Sequence, residues 1–215
     1  MLKWTIIFFS LFQFIASKTI IIKAHPKNFE DNEIKEFKNN PPSHTEHAKM
    51  ARWLVHNSEW MSIRSISTIP SIAGFPMVNV KAMADSEKEA KSTGIIYFYL
   101  TMLDDTAKDL SKNNKLTVLF SMDQSLYCTN KNIDPMEPTC ARVMITGKVL
   151  KVQKSSKEHD FATKAMISHH PASVNWNEEH NFFLCKIKIA QIMVIDYYGG
   201  VKYVKVEDYY KADVE

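Results

Sequence analysis

Glycine is scarce in this chain, with five glycines among 215 residues. Phosphate-binding loops of the Walker and Rossmann kinds need glycines at fixed spacings, because their backbone must approach the phosphates closely. Neither spacing occurs here, and the Gly-x-Ser-x-Gly turn that exposes a hydrolase nucleophile is also missing. The sequence therefore argues against ATP-binding and dinucleotide-binding folds and against a serine hydrolase, and it suggests no catalytic residue.

The chain also lacks a strong charge of one sign. Its 27 Lys and Arg residues nearly balance its 24 Asp and Glu residues, which leaves a formal net charge of +3. Basic and acidic residues alternate along most of the sequence. Because nucleic-acid-binding domains concentrate basic residues on one surface, this pattern predicts no nucleic-acid partner.

Long hydrophobic runs are missing except at the amino terminus. There, the basic start Met1–Lys3 precedes an apolar run, Trp4–Ile15, and small residues follow up to Ser17. This order is typical of a secretory signal peptide, and we predict residues 1–17 to be removed. A membrane anchor would need roughly 20 apolar residues. The next most apolar stretch, Ile187–Tyr198, is interrupted by polar residues, so we expect a secreted protein without a membrane span.

The remainder divides into a polar arm and one domain. Residues 18–42 contain a single short apolar patch and end in two prolines, which is typical of a linker or arm. Residues 43–212 are long enough for one hydrophobic core.

Only three cysteines are present, and an odd number leaves at least one unpaired within the chain. Cys128 and Cys140 flank a turn-rich stretch that can bring their backbones together, so we predict a disulfide between them. Closing this loop should contribute about 3 kcal/mol in the chain-entropy model. Cys185 lies in an apolar strand pattern and is expected to be a buried thiol.

Alternating apolar residues predict six or more β-strands. Gly147 interrupts one strand, which indicates a bulge or a sharp bend. With two or three helices added, the pattern predicts an α+β fold in which a closed antiparallel barrel is covered by helices. The predicted strands are Ser62–Ile69, Pro76–Ala84, Ile95–Leu100, Leu116–Met122, Ala141–Val152, Phe182–Tyr198 and Val201–Val204.

Two helix starts carry a capping-box pattern, in which a serine is followed three residues later by a glutamate. The first is Ser43 with Glu46, and the second is Ser155 with Glu158. A further short helix is expected around Leu110.

Histidines offer only weak evidence for a metal site. His44 and His47 are three residues apart on the first helix, but no cysteine or carboxylate completes a ligand spacing. We interpret them as exposed helix residues and predict no metal. His169 and His170 precede Pro171, where a capping or surface role and a low-pH sensor are both compatible with the sequence.

One predicted strand carries several polar side chains. Arg64, Ser67 and Thr68 could present a guanidinium and hydroxyls to a phosphate. An ordinary barrel strand with one polar face explains the same residues.

Tyrosines cluster near the carboxyl end, at Tyr197, Tyr198, Tyr203, Tyr209 and Tyr210. Aromatic rings with a polar tip suit protein interfaces. They suggest a homodimer interface with Tyr197, Tyr198 and Tyr203 as its candidate residues, and core packing accounts for some of the five tyrosines equally well.

The order of several motifs resembles the CREG family, the secreted cellular repressors of adenoviral early-protein-stimulated genes. The similarity extends from about Ala48 to Tyr210, and the order of the motifs is more specific than any one of them. The motifs are Ser65–Thr68, Tyr97–Leu100, the Cys128–Cys140 loop with Asp134-Pro135, His170-Pro171, Trp176, Asn181–Phe183 and Asp196–Gly200.

This resemblance implies a split β-barrel of the FMN-binding kind, related to pyridoxamine-phosphate oxidase. It also implies a homodimer that regulates growth and differentiation through an extracellular or endolysosomal protein. Related barrels hold FMN at the dimer interface, whereas CREG proteins resemble enzymes that have lost or obstructed that site. No cofactor is therefore expected. A flavin-dependent oxidoreductase is the alternative, with any remaining phosphate pocket at Arg64, Ser67 and Thr68.

The chain departs from familiar CREG proteins in lacking any Asn-x-Ser/Thr sequon. Sorting to endosomes or lysosomes through N-glycans is therefore not expected. The extracellular space is the predicted destination.

Overall fold

The computed structural model describes residues 40–176 and 180–214. The predicted signal peptide, residues 1–17, and residues 18–39 of the predicted arm lie outside the described residues. The domain that follows is built on one antiparallel sheet of seven strands. These are β1 Trp60–Ile66, β2 Pro76–Ala84, β3 Tyr97–Leu100, β4 Lys115–Ser121, β5 Arg142–Lys151, β6 Phe183–Ile195 and β7 Lys202–Val204.

The sheet closes on itself. Its order is β3-β2-β1-β4-β5-β6-β7, and β3 also pairs with the first half of β6. The first six strands thus form a closed barrel, while β7 adds to the second half of β6. This architecture confirms the predicted α+β split barrel.

Alternation along the strands separates an inner from an outer face. In β4, Leu116, Val118 and Phe120 are buried inside the barrel. Lys115 and Leu119 point outward, as expected for successive residues of a strand.

Strand β3 is buried on both faces, which explains its unbroken aromatic sequence. Phe98 and Leu100 belong to the core inside the barrel. Tyr97 and Tyr99 pack on the opposite side, in a second cluster with Ala162 and other residues of a covering helix.

Five α-helices accompany the described strands. They are α1 His47–His56, α2 Asp105–Lys112, α3 Tyr127–Asn130, α4 Lys157–His169 and α5 Val206–Lys211. Helix α1 packs against β4, β5 and β6 and contributes the buried Trp53 and Leu54 to the main core. Helix α5 packs on α1 through the buried Tyr209.

Both predicted helix caps are wrong in position. The first helix begins at His47 with Glu46 as its N-cap, and the Ser43 side chain instead accepts from the backbone of Thr45. The second cap is Ser156 rather than Ser155, and its hydroxyl accepts from the His159 amide. Glu158 does not take part in this cap and instead accepts from the Lys186 ammonium group at 2.6 Å.

Gly147 lies at the predicted irregularity. The register between β5 and β6 shifts between Thr146 and Gly147, which confirms a β-bulge. A Cβ atom on residue 147 would lie 2.4 Å from the carbonyl oxygen of Lys188. Glycine is therefore required here by the close approach of the neighbouring backbone.

No described helix combines the length and the apolar character needed to cross a bilayer.

Candidate functional site

The predicted phosphate residues lie at the end of β1, but they do not converge. Arg64 is exposed on the outer face of the barrel, opposite Val78 of β2. Ser67 is buried, and its hydroxyl accepts from the Ile69 amide at 3.2 Å. Thr68 lies just beyond β1, with its side chain turned to helix α2.

The donors near Thr68 are already used by a carboxylate of the chain itself. Asp109 of α2 accepts from the Ser65 hydroxyl at 2.8 Å, from the Thr68 amide at 2.7 Å and from the Thr68 hydroxyl at 2.8 Å. Its side chain is almost completely buried, at 1% exposure. A phosphate that used these donors would therefore have to occupy the position of the Asp109 carboxylate.

Hydrogen bonding keeps this carboxylate charged. Burial alone would raise the pKa of Asp109, but the hydrogen bonds from Ser65 and Thr68 outweigh it and hold the pKa below its usual range. At neutral pH Asp109 is therefore ionised, and a phosphate beside it would meet like charge.

A second carboxylate holds the adjoining start of α2. Asp104 caps the helix by accepting from the Thr106 amide at 2.8 Å, and it also binds the Lys81 ammonium group. Asn79 donates to the Thr106 hydroxyl at 2.9 Å. The helix N-terminus and the nearest cation of β2 are therefore both satisfied from within the chain.

As these residues stand, they do not fit the phosphate of FMN. Arg64 and Ser67 lie on opposite faces of the strand, and Thr68 is bound by Asp109. Sequence reasoning missed Asp109, although it shares a helical face with Thr106 and Leu110 in α2, both of which are buried. A carboxylate on a face that otherwise turns inward is the signal that could have identified it.

Outside the barrel, a row of residues crosses six strands. The register pairs Val80 with Ser62, Ser62 with Leu119, Leu119 with Met144, Met144 with Met193, and Met193 with Tyr203. Paired residues share a face of a sheet. Trp60 and Val78 flank the row, and the strongly exposed members are Val78 at 66%, Val80 at 55% and Tyr203 at 71%. We name Trp60, Val78, Val80, Leu119 and Tyr203 the outer apolar patch.

The three predicted interface tyrosines are all exposed, and Tyr203 belongs to this patch. Tyr197 and Tyr198 follow the end of β6. Tyr197 stacks on His44 with ring centroids 4.2 Å apart, and the Tyr198 hydroxyl donates to Glu137 at 2.9 Å. Tyr209 is instead buried, so the core explanation holds for that residue.

The four histidines considered in the sequence make contacts within the chain. His44 stacks on Tyr197, and the Nδ1 atom of His47 lies 2.8 Å from Asp196. His170 has its Nε2 atom 3.1 Å from the carbonyl oxygen of Met83. Its neighbour His169 is packed inside, with its side chain 7% exposed.

A buried polar network, which no sequence pattern indicated, holds the loop after β2. Asp85 accepts from the Ser92 hydroxyl at 2.6 Å and from the Gly94 amide at 3.0 Å, and lies 2.9 Å from His56. The Arg52 guanidinium donates to the hydroxyl and carbonyl oxygens of Ser92, both at 2.6 Å.

The same guanidinium anchors the carboxyl-terminal helix α5. Arg52 donates to the Tyr209 carbonyl at 2.9 Å, and the Tyr209 hydroxyl donates to the Gly94 carbonyl at 2.9 Å. Burial would raise the pKa of Asp85, but the hydrogen bond and charge of His56, together with Ser92 and Gly94, lower it. This network is a structural joint between α1, the 85–94 loop and α5.

The cysteines have the predicted arrangement. Cys128 and Cys140 form the disulfide, with their Cα atoms 5.8 Å apart. Cys185 is free and buried, and burial raises the pKa of its thiol to about 12. At neutral pH it is therefore a protonated, unreactive thiol.

One known family model matches most of the chain. A model described as "CREG, beta-barrel" matches residues 42–211. The chain belongs to the CREG family. Among curated CREG proteins, mouse Protein CREG1 is 35% identical over 174 residues, which cover 81% of this chain and 78% of the mouse protein. Human Protein CREG1 is 34% identical over 174 residues, with the same shares.

Solved structures agree with this CREG chain in fold alone. A heme binding protein from Mycobacterium smegmatis superposes with a TM-score of 0.58 at 13% identity, covering 81% of this chain and 63% of that one. ChuZ from Campylobacter jejuni superposes with a TM-score of 0.56 at 9% identity, covering 79% and 63%. This CREG chain thus shares its split-barrel fold with both of these distantly related proteins.

Proposed function

We propose that this CREG-family chain is a secreted, non-catalytic homodimer that regulates cell growth or differentiation by binding a protein partner. The partner is extracellular or endolysosomal, and the extracellular space is the main destination because the chain has no N-glycan sequon. The observation that carries the non-catalytic part is the buried Asp109 carboxylate on the hydroxyls and amide of residues 65–68.

Asp109 supports this proposal because it satisfies hydrogen-bond donors at the place where the resemblance implied a flavin phosphate. Three donors converge on one carboxylate, so an incoming phosphate would have to displace a buried charge that is already hydrogen-bonded. A flavin-dependent oxidoreductase, the alternative function, would need the Thr68 amide and hydroxyl to be available to the phosphate.

The outer apolar patch supports the homodimer. Exposed apolar side chains on one face of a sheet are typical of an interface core, and the half-buried Met144 and Met193 connect Leu119 to Tyr203 on this face. A two-fold dimer uses the same patch on both copies. One substitution in the patch therefore appears twice in the interface.

We expect Val80→Glu to convert the dimer to a monomer, because it places two like charges in the middle of an apolar interface. Sedimentation velocity at micromolar protein concentration measures the change. The matched control is Val174→Glu, since Val174 is exposed to a similar extent, at 58% against 55%, but lies on a different surface. A wild-type protein that sediments as a monomer, or equal effects of the two variants, would contradict this interface.

A further inference from the structure

The strands of the barrel have a charge distribution that the sequence as a whole conceals. No Asp or Glu occurs in any of the seven described strands, although the chain as a whole is nearly balanced. The acidic residues lie in helices and loops. The charged residues of the strands are all basic: Arg64, Lys81, Lys115, Arg142, Lys148, Lys151, Lys186, Lys188 and Lys202.

Strand register brings three of these lysines side by side. Lys115 of β4 pairs with Lys148 of β5, and Lys148 pairs with Lys188 of β6. All three are exposed. Neighbouring strands are about 4.8 Å apart, so the three side chains leave the sheet as a closely spaced line. We name Lys115, Lys148 and Lys188 the lysine row.

Further donors lie in the next row of the same face. Thr117 and Thr146 pair across β4 and β5, with their hydroxyl oxygens 3.0 Å apart. Arg64 of β1 pairs with Thr117 and is exposed. The lysine row, Arg64 and the two hydroxyls therefore form one cationic surface with hydrogen-bond donors.

The positive charges of this surface are not neutralised by the described part of the chain. Neither Arg64 nor any member of the lysine row takes part in an ion pair there. Other exposed lysines do so: Lys49 binds Glu46, Lys91 binds Asp213 and Lys108 binds Asp105. Like charges directly opposite one another on a sheet are destabilising, so a bound anion would relieve a repulsion that the fold itself leaves in place.

We propose that the lysine row and Arg64 bind a sulfated polysaccharide of the extracellular matrix. The surface is an open strand face and not a pocket, so it suits a linear polyanion lying across the strands better than a small anion. Sulfate groups along such a chain can each meet an ammonium or guanidinium group, with the threonine hydroxyls as additional donors. The choice of a matrix polysaccharide rests on the proposed secretion.

This binding surface adjoins the proposed dimer interface, because Arg64 pairs with Val78 of the outer apolar patch. Along β4, Lys115 is four residues from Leu119 of the outer apolar patch, which corresponds to about 13 Å. The lysine row therefore lies beside the dimer interface. In a dimer it would supply two such rows to one polysaccharide chain.

The test measures binding of a fluorescent heparin-derived oligosaccharide to the purified protein at several salt concentrations. We expect the triple variant K115Q/K148Q/K188Q to bind at least about 10-fold more weakly than the wild type, with a salt dependence reduced by about 2 to 3 in slope. The matched control K49Q/K91Q/K108Q removes the same charge from exposed lysines that are already paired, and it should bind nearly as well as the wild type. Denaturation curves verify that both variants fold.

Three results would overturn the proposal. They are an absence of heparin binding by the wild type, an equal loss in both triple variants, and equally tight binding of a single-stranded DNA oligonucleotide through the same lysines. A separate assay of export from cells tests the proposed secretion, on which the choice of ligand rests. If the protein binds heparin through the lysine row but is not exported, the proposed secretion fails and a matrix polysaccharide is excluded as the ligand.

Discussion

Asp85→Ala is expected to lower the free energy of unfolding by about 3–5 kcal/mol, because it removes a buried carboxylate that pairs with His56 and accepts from Ser92 and Gly94. Arg52 is 4% exposed and would keep its charge, while the Ser92 hydroxyl and the Gly94 amide would lose their acceptor. Urea denaturation followed by fluorescence measures the effect. Asp213→Ala is the control: Asp213 is in an exposed pair with Lys91, so it should change stability by less than about 1 kcal/mol.

If the Asp85→Ala protein does not fold, Ser92→Ala tests the same network with a smaller change and should lower the free energy of unfolding by about 1–3 kcal/mol.

The sign of the pH dependence follows from the lowered pKa of Asp85. A carboxyl group with a lowered folded-state pKa stabilises the fold above its unfolded pKa of 3.8 and loses that contribution as the pH falls through the folded value. The difference between wild type and Asp85→Ala should therefore persist at pH 5 and shrink below about pH 4. A difference that disappears already between pH 7 and pH 5 would contradict the assigned network.

Removing the disulfide should cost about 2–4 kcal/mol, since Cys128 and Cys140 close a short loop with a sequence separation of 12. The variant C128A/C140A should denature at lower urea concentration than the oxidised wild type. Adding a reductant should bring the wild type close to the variant and leave the variant itself unchanged. A wild type whose denaturation midpoint does not respond to reductant, although its disulfide is shown to be broken, would exclude a stabilising role.

The barrel could be predicted from the sequence because period-two alternation is a local signal. Leu116, Val118 and Phe120 alternate with outward-facing residues in β4. A single glycine, Gly147, indicated the bulge in β5. The helix starts were less certain. Ser155 fits the capping pattern with Glu158, but Ser156, which is followed three residues later by His159, caps the helix, and Glu158 binds Lys186 in a strand that begins 25 residues later.

The polar sites could not be predicted because their partners are far apart in sequence. Asp109 binds residues 65–68, more than 40 positions earlier, and Arg52 binds Ser92, 40 positions later. The lysine row needs the register of three strands, since Lys115, Lys148 and Lys188 are spread over more than 70 positions. Sequence composition showed alternating charge, and only strand pairing separates the basic strands from the acidic loops.

We propose that the Asp109 carboxylate occupies donors that a flavin phosphate would use, so that the protein works by binding and not by catalysis. A titration of FMN with the purified protein, followed by quenching of flavin fluorescence, tests this proposal most directly. We predict no saturable quenching, because Asp109 holds the donors of residues 65–68 and remains charged. Saturable binding of one FMN per chain at micromolar concentration would contradict the claim.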